Sequence, residues 1–122
     1  IRTPPALVAG TARQDDVLGD AAVVVCGAGH GMLAKALLAG VPVVTVPGGG
    51  DQWELANRVS RAGAGVIVRP ASPGAIAAAV KQILDDPSYT ANARRIGAGV
   101  TATADPVPIV RRILEKAPLT CV

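Results

Sequence analysis

Three apolar runs of strand length, AAVVVC (21–26), VPVVTV (41–46) and AGVIV (64–68), each lead into a turn and then into a stretch with helical spacing. This alternation constrains the chain more than any other feature. Strands without polar alternation suit a parallel sheet covered on both faces. Strand–helix–strand units close into such sheets through right-handed crossovers. The sequence therefore predicts an α/β fold: a Rossmann-like, three-layer αβα arrangement with a mainly parallel sheet.

The intervening segments fit that reading. PALVAG (5–10) is a further short strand candidate, and RQDDVLGD (13–20) has helical character for one or two turns. From His30 to Ala39 the spacing of Leu33, Ala36 and Leu37 predicts a helix, with Gly40 placed to end it. Asp51 to Arg61 reads as the next helix, with Asp51 and Glu54 in the outline of a capping box. Ser72-Pro73 supplies an N-cap and a proline at the first helical position of a helix running to about Leu84. Residues 88–99 form another, and Asp105-Pro106 opens a last helix through Val110, Ile113 and Leu114, ending before Pro118. With no repeats or linkers, all 122 residues are assigned to a single domain, 1–122.

Composition excludes several classes. Half the residues are hydrophobic and 17% are charged, which argues against disorder. A net charge of +3 with only 2% aromatic residues offers little to nucleic acid, which needs a basic surface and stacking platforms. No apolar run reaches the roughly 18 residues of a membrane span, and the opening IRTPPALVAG lacks the layout of a signal peptide. Cys26 and Cys121 are spaced for neither a disulfide framework nor a metal site, and a lone His30 forms no histidine cluster, so no metal is expected. The expected location is the cytoplasm. Arg94, Arg95, Arg111, Arg112 and Lys116 read as a solvated face, with contact at a membrane surface as a weaker alternative.

If the strands are parallel, the turn at 27–29 and the glycine loop at 47–50 lie at the same edge, outside the carboxyl ends, where open α/β sheets bind ligands. Each opens a helix N-terminus, which suits an anion. The stretch CGAGHGM resembles a dinucleotide fingerprint but departs from it twice. Met32 stands where the third glycine belongs, and no acidic residue closes the next strand, since Asp51 follows only after the glycine loop. An NAD or FAD site is the least supported reading.

The order of features across residues 20–68 resembles the C-terminal domain of GT-B glycosyltransferases, of the MurG type and the related UDP-glycosyltransferases. The features are an Asp before the strand, a glycine turn into a helix, ALLAGVPVVTVP, a glycine loop, Asp-Gln, an Asn-Arg pair within the helix, and AGAGVIV. The resemblance implies a domain that binds a nucleotide-sugar donor, UDP-linked, without a metal or other cofactor. Gly27, Ala28, Gly29, His30 and Gly31 would meet the diphosphate, and Lys35 would face the nucleotide. Gly49, Gly50, Asp51 and Gln52 would meet the donor sugar, Asp accepting from hydroxyls while Gln donates and accepts. Many members carry His-Gly-Gly, or in the MurG type Arg-Ser-Gly, where this chain has Gly27-Ala28-Gly29, and a ribose-binding Glu where it has Lys35.

The resemblance also implies an acceptor domain, or a partner chain, to complete the cleft and supply the catalytic base. No catalytic residue is assigned here, and the chain alone is not expected to transfer a hexosyl group. The residues leave other readings open. The glycines serve a tight turn, Asp51 caps a helix, Lys35 and His30 face solvent, and Trp53 packs under the loop. A non-catalytic interaction module on a degenerate domain is the alternative function.

Overall fold

The computed structural model describes Leu7, residues 9–101 and residues 105–116. Of the PALVAG strand candidate, Leu7, Ala9 and Gly10 lie in no strand, while Pro5, Ala6 and Val8, together with Pro118 and Cys121, lie outside the described residues. Along the chain run α1 (Gln14–Leu18), β1 (Val24–Cys26), α2 (His30–Leu38), β2 (Val43–Thr45), α3 (Gln52–Arg61), β3 (Gly65–Ile67), α4 (Pro73–Asp85), α5 (Ser88–Thr101) and α6 (Pro106–Lys116). The three strands form one parallel sheet in the order β1-β2-β3. Val24, Val43 and Gly65 stand in one row across it, and Val25, Val44 and Val66 in the next. The fold is α/β with a small parallel sheet between helical layers.

Side-chain alternation sorts the core into those layers. Val43, with the partly buried Val24, Cys26 and Ile67, packs with Leu33 and Ala36 of α2 and Ala56 and Val59 of α3. On the other face, Val44 and Val66 meet Ala79 and Ile83 of α4. Burying such aliphatics contributes about 25 cal/mol per Å² of apolar surface, the main stabilising term for the sheet. Only β2 is buried throughout. Thr45, 1% exposed, satisfies its hydroxyl by donating to the Val66 carbonyl at 3.4 Å.

The structure corrects the strand reading in two respects. The ladder is shorter than the apolar runs, three residues in each strand. β1 is not covered on both faces, since Val25 is 47% exposed. Val25 shares its row with Val44, on the α4 side, and α4 packs mainly over β2 and β3.

Helix ends follow their local chemistry. Gly40 sits just beyond α2 at φ +73°, a left-handed position that glycine adopts without steric cost. Ser72 Oγ accepts the Ala75 N–H at 3.1 Å, and Pro73 begins α4 as expected. α5 lies across α2 at very short range, with Ala93 and Ala36 fully buried and Gly97 against the Leu37 carbonyl. By contrast, α6 buries none of its residues, and Val107, Val110, Ile113 and Leu114 are all more than half exposed. No helix among the described residues is long and apolar enough to cross a membrane.

Candidate functional site

Parallel strands put the carboxyl end of each strand, and the N-terminus of each following helix, at one edge of the sheet. The turn 27–29, the loop 47–50 and the segment after β3 all emerge there. A cavity of about 630 Å³, lined by Ala21, Pro42, Ile83 and Arg94 among others, lies at the opposite edge.

Three helices start at the carboxyl edge, and they differ in what satisfies their first N–H groups. α4 is closed by Ser72 and by Pro73, which has no N–H to offer. α2 and α3 have no side-chain cap. The Leu33 N–H bonds to the Gly29 carbonyl at 3.1 Å, so helix geometry leaves the N–H groups of His30, Gly31 and Met32 without intrahelical acceptors. In α3, the Leu55 N–H bonds to the Asp51 carbonyl at 3.1 Å, which leaves those of Trp53 and Glu54 in the same position. Two unclosed helix ends with their dipoles directed at one edge favour an anion there.

The glycines at this edge are not required by the chain's own geometry. A Cβ on Gly29, Gly31 or Gly49 would meet nothing within 4 Å, and none of the three has a positive φ. Gly27 has room as well, its nearest neighbour being Gln52 Oε1 at 3.7 Å. Gly50, at φ +60°, is the one with a conformational reason. Glycine without strain or crowding leaves bare backbone open to close approach. Ala28 does the reverse. It takes φ 67°, a left-handed conformation costing an L-residue about 1–2 kcal/mol, and its methyl is fully buried in the core.

Polar side chains link the two loops. His30 Nδ1 lies 3.3 Å from Asp51 Oδ2, and both side chains are largely exposed. Gln52 Oε1 accepts the Gly48 N–H at 2.8 Å. The capping box read from the sequence does not form. Asp51 makes no side-chain bond to its own helix, and Glu54 pairs with Arg58 at 3.0 Å, one turn on. The His30 imidazole across the gap competes with the local cap for the Asp51 carboxylate, and the local pattern cannot show that it is there.

The structure thus brings Gly27, Ala28, Gly29, His30 and Gly31 together with Gly49, Gly50, Asp51 and Gln52. Lys35 stands apart. Its ammonium donates to Gln14 Oε1 of α1 at 3.1 Å. Trp53 is half-buried, and Arg69, just past β3, places its guanidinium 4.4 Å from the centre of the indole ring. Arg69 went unread in the sequence, although the argument that put two loops at this edge applies equally to the segment after the third strand. Among the described residues no group of three or more His, Cys, Asp or Glu gathers as a metal ligand set.

Comparison with known proteins finds relatives over most of the chain. The family model for the erythromycin biosynthesis protein CIII-like C-terminal domain matches residues 7–116. A PGL/p-HBAD biosynthesis glycosyltransferase of Mycobacterium tuberculosis is 42% identical over 77 residues, covering 62% of this chain and 18% of the relative. The erythronolide mycarosyltransferase of Saccharopolyspora erythraea is 31% identical over 101 residues, covering 81% of this chain and 24% of the relative. The crystal structure of the glycosyltransferase SsfS6 from Streptomyces sp. SF2575 superposes with a TM-score of 0.76 at 39% identity, covering 88% of this chain and 29% of that one. SsfS6 has also been crystallised with thymidine diphosphate. The chain therefore spans less than a third of each of these relatives. The solved structures it resembles are GT-B glycosyltransferases.

Proposed function

The chain belongs to the erythromycin biosynthesis protein CIII-like C-terminal domain family, and from that premise we propose that it is the donor-binding part of a glycosyltransferase that takes a hexosyl group from a pyrimidine nucleoside diphosphate sugar. The observation that carries this reading is the bare backbone of Gly29, Gly31 and Gly49, set at two unclosed helix N-termini on one sheet edge. The diphosphate lies over the turn 27–31, taking N–H groups at the start of α2, with His30 beside it. The sugar lies toward Gly49, Gly50, Asp51 and Gln52. Thymidine diphosphate on a 38% identical relative supports a pyrimidine nucleotide, thymidine as well as the uridine that the resemblance implies.

In the reaction this edge stabilises the departing diphosphate. Charge builds on the phosphate oxygens as the glycosidic bond breaks, and fixed N–H dipoles need no reorganisation to meet it. The acceptor site and the base that activates the acceptor belong to the remainder of a larger enzyme, so the chain binds donor without turning it over. Isothermal titration of the chain with thymidine diphosphate, uridine diphosphate, their glucose conjugates and NAD tests the reading. Pyrimidine nucleotides bind and NAD does not. Binding of NAD alone, or of none of them, overturns it, and the latter result favours an interaction module without a ligand.

A further inference from the structure

His30 opens α2 after the β1 turn, and Asp51 stands immediately before α3, after the glycine loop that follows β2. Their side chains meet across the gap, His30 Nδ1 at 3.3 Å from Asp51 Oδ2, and Asp51 makes no side-chain bond to its own helix. A carboxylate can only accept, so the contact requires a proton on Nδ1 and leaves Nε2 on the far side of the ring. In the neutral ring Nε2 then carries a lone pair and is itself an acceptor. Diphosphate oxygens are acceptors too, so one of them bonds to Nε2 only when the ring takes up a second proton.

The charged groups on the surrounding elements are placed or engaged elsewhere. Lys35 of α2 donates to Gln14, Glu54 of α3 pairs with Arg58, Arg61 stands at the far end of α3, and Arg69 after β3 lies over Trp53. Cys26, at the end of β1, bears no positive charge in either state. The positive end of the α2 dipole opposes charge on the ring, and the Asp51 carboxylate favours it. A phosphate at Nε2 adds a second anion, and its binding draws a proton in.

We propose that Asp51 is a positioning residue for His30, holding the ring through Nδ1 so that Nε2 serves the diphosphate, and that the donor binds to the imidazolium with uptake of one proton from solvent. The proton uptake rests on the donor-binding reading; the positioning does not. The new bond is an Nε2–H donated to a phosphate oxygen, and no covalent bond changes.

His30 is the one histidine of the chain, so its ring signals are identified without ambiguity. Long-range ¹H–¹⁵N spectra of the ¹⁵N-labelled chain give the tautomer of the neutral ring. The wild type carries the proton on Nδ1. D51A reverts to the Nε2–H form that free histidine prefers, and D51N, whose amide oxygen still accepts, keeps the wild-type form. Amides of β2 stay in place in all three, which separates the effect from unfolding. Thymidine diphosphate glucose, whose phosphates hold no titrating proton near neutrality, is then titrated calorimetrically in buffers of differing ionisation enthalpy. Wild-type binding takes up a proton, and affinity falls by up to about tenfold per unit of rising pH. D51A loses the uptake, because a neutral Nε2–H donates directly, and H30Q loses it because an amide donates at any pH.

A wild-type ring protonated on Nε2 overturns the positioning role. Binding without proton uptake, or an uptake unchanged in D51A, overturns the imidazolium. A wild-type chain that does not bind the sugar nucleotide overturns the donor reading, and with it the proton uptake, while the tautomer decides the positioning half on its own.

Discussion

Gly31→Ala separates what the fold needs from what the ligand needs. Gly31 is the second residue of α2, its φ is not in the left-handed region, and a Cβ there would meet nothing within 4 Å. By helix propensity alone, alanine stabilises the chain by about 0.5–1 kcal/mol. That raises the unfolding temperature by about 2–6 °C for a domain of this size. The same methyl points back toward the helix N-terminus, over the turn where the diphosphate is placed. A phosphate oxygen bonded to these N–H groups sits about 2.9 Å from nitrogen, and a methyl carbon needs about 3.5 Å to its neighbours. At least one charge-assisted hydrogen bond is lost, about 1.5–3 kcal/mol, or ten- to a hundredfold in affinity.

Gly74→Ala is the matched control. It too is the second residue of its helix, with nothing within 4 Å of a Cβ, but Ser72 closes that helix end. Thermal unfolding followed by circular dichroism, with calorimetric titration of thymidine diphosphate, reads both effects. Both variants gain stability, and only Gly31→Ala loses nucleotide affinity. A lower unfolding temperature in Gly31→Ala, or an affinity unchanged within twofold, refutes the argument that this glycine is kept open for a ligand.

Other positions test the scaffold. Gly97→Ala drives a methyl into the Leu37 carbonyl, a backbone atom with no rotamer to escape by, and destabilises by about 1–3 kcal/mol despite better helix propensity. Gly99→Ala, in the same helix with open space at its Cβ, does not, and chemical denaturation distinguishes the two. Ser72→Ala removes the α4 cap and costs about 1 kcal/mol by the same measurement. Asp86 accepts the Ser88 backbone N–H at 2.9 Å, and its hydrogen bonds to Ser88, backbone first and then side chain, hold its carboxyl below the usual carboxylate range. A depressed carboxylate contributes above its unfolded value and loses that contribution as pH falls through the folded one. The wild-type advantage in unfolding temperature over Asp86→Ala is therefore constant near neutrality and vanishes on acidification through and below that range.

Much of the architecture could be read along the chain because it is written in local periodicity. Apolar runs, helical spacing, the Ser72-Pro73 start and the Gly40 stop each depend on residues within a few positions of one another, and each locates its element. The parallel arrangement then follows from the alternation itself, and it carries the two glycine loops to one edge before any contact is known. What lies between elements could not be read in this way. That Val25 is exposed depends on which strands α4 covers, and an apolar run looks the same beneath a helix and beside one. That Asp51 turns to His30 instead of capping α3 depends on a partner 21 positions away, brought near only by the crossover. Gln52 sits four residues from Gly48, yet whether its side chain reaches that N–H is set by how the loop folds back over the helix. The sequence by itself determined the elements, their order and the edge where chemistry would gather. Only the tertiary structure decided which donors and acceptors there are already committed, because hydrogen bonds across the gap compete with local ones and the winner depends on distance in space.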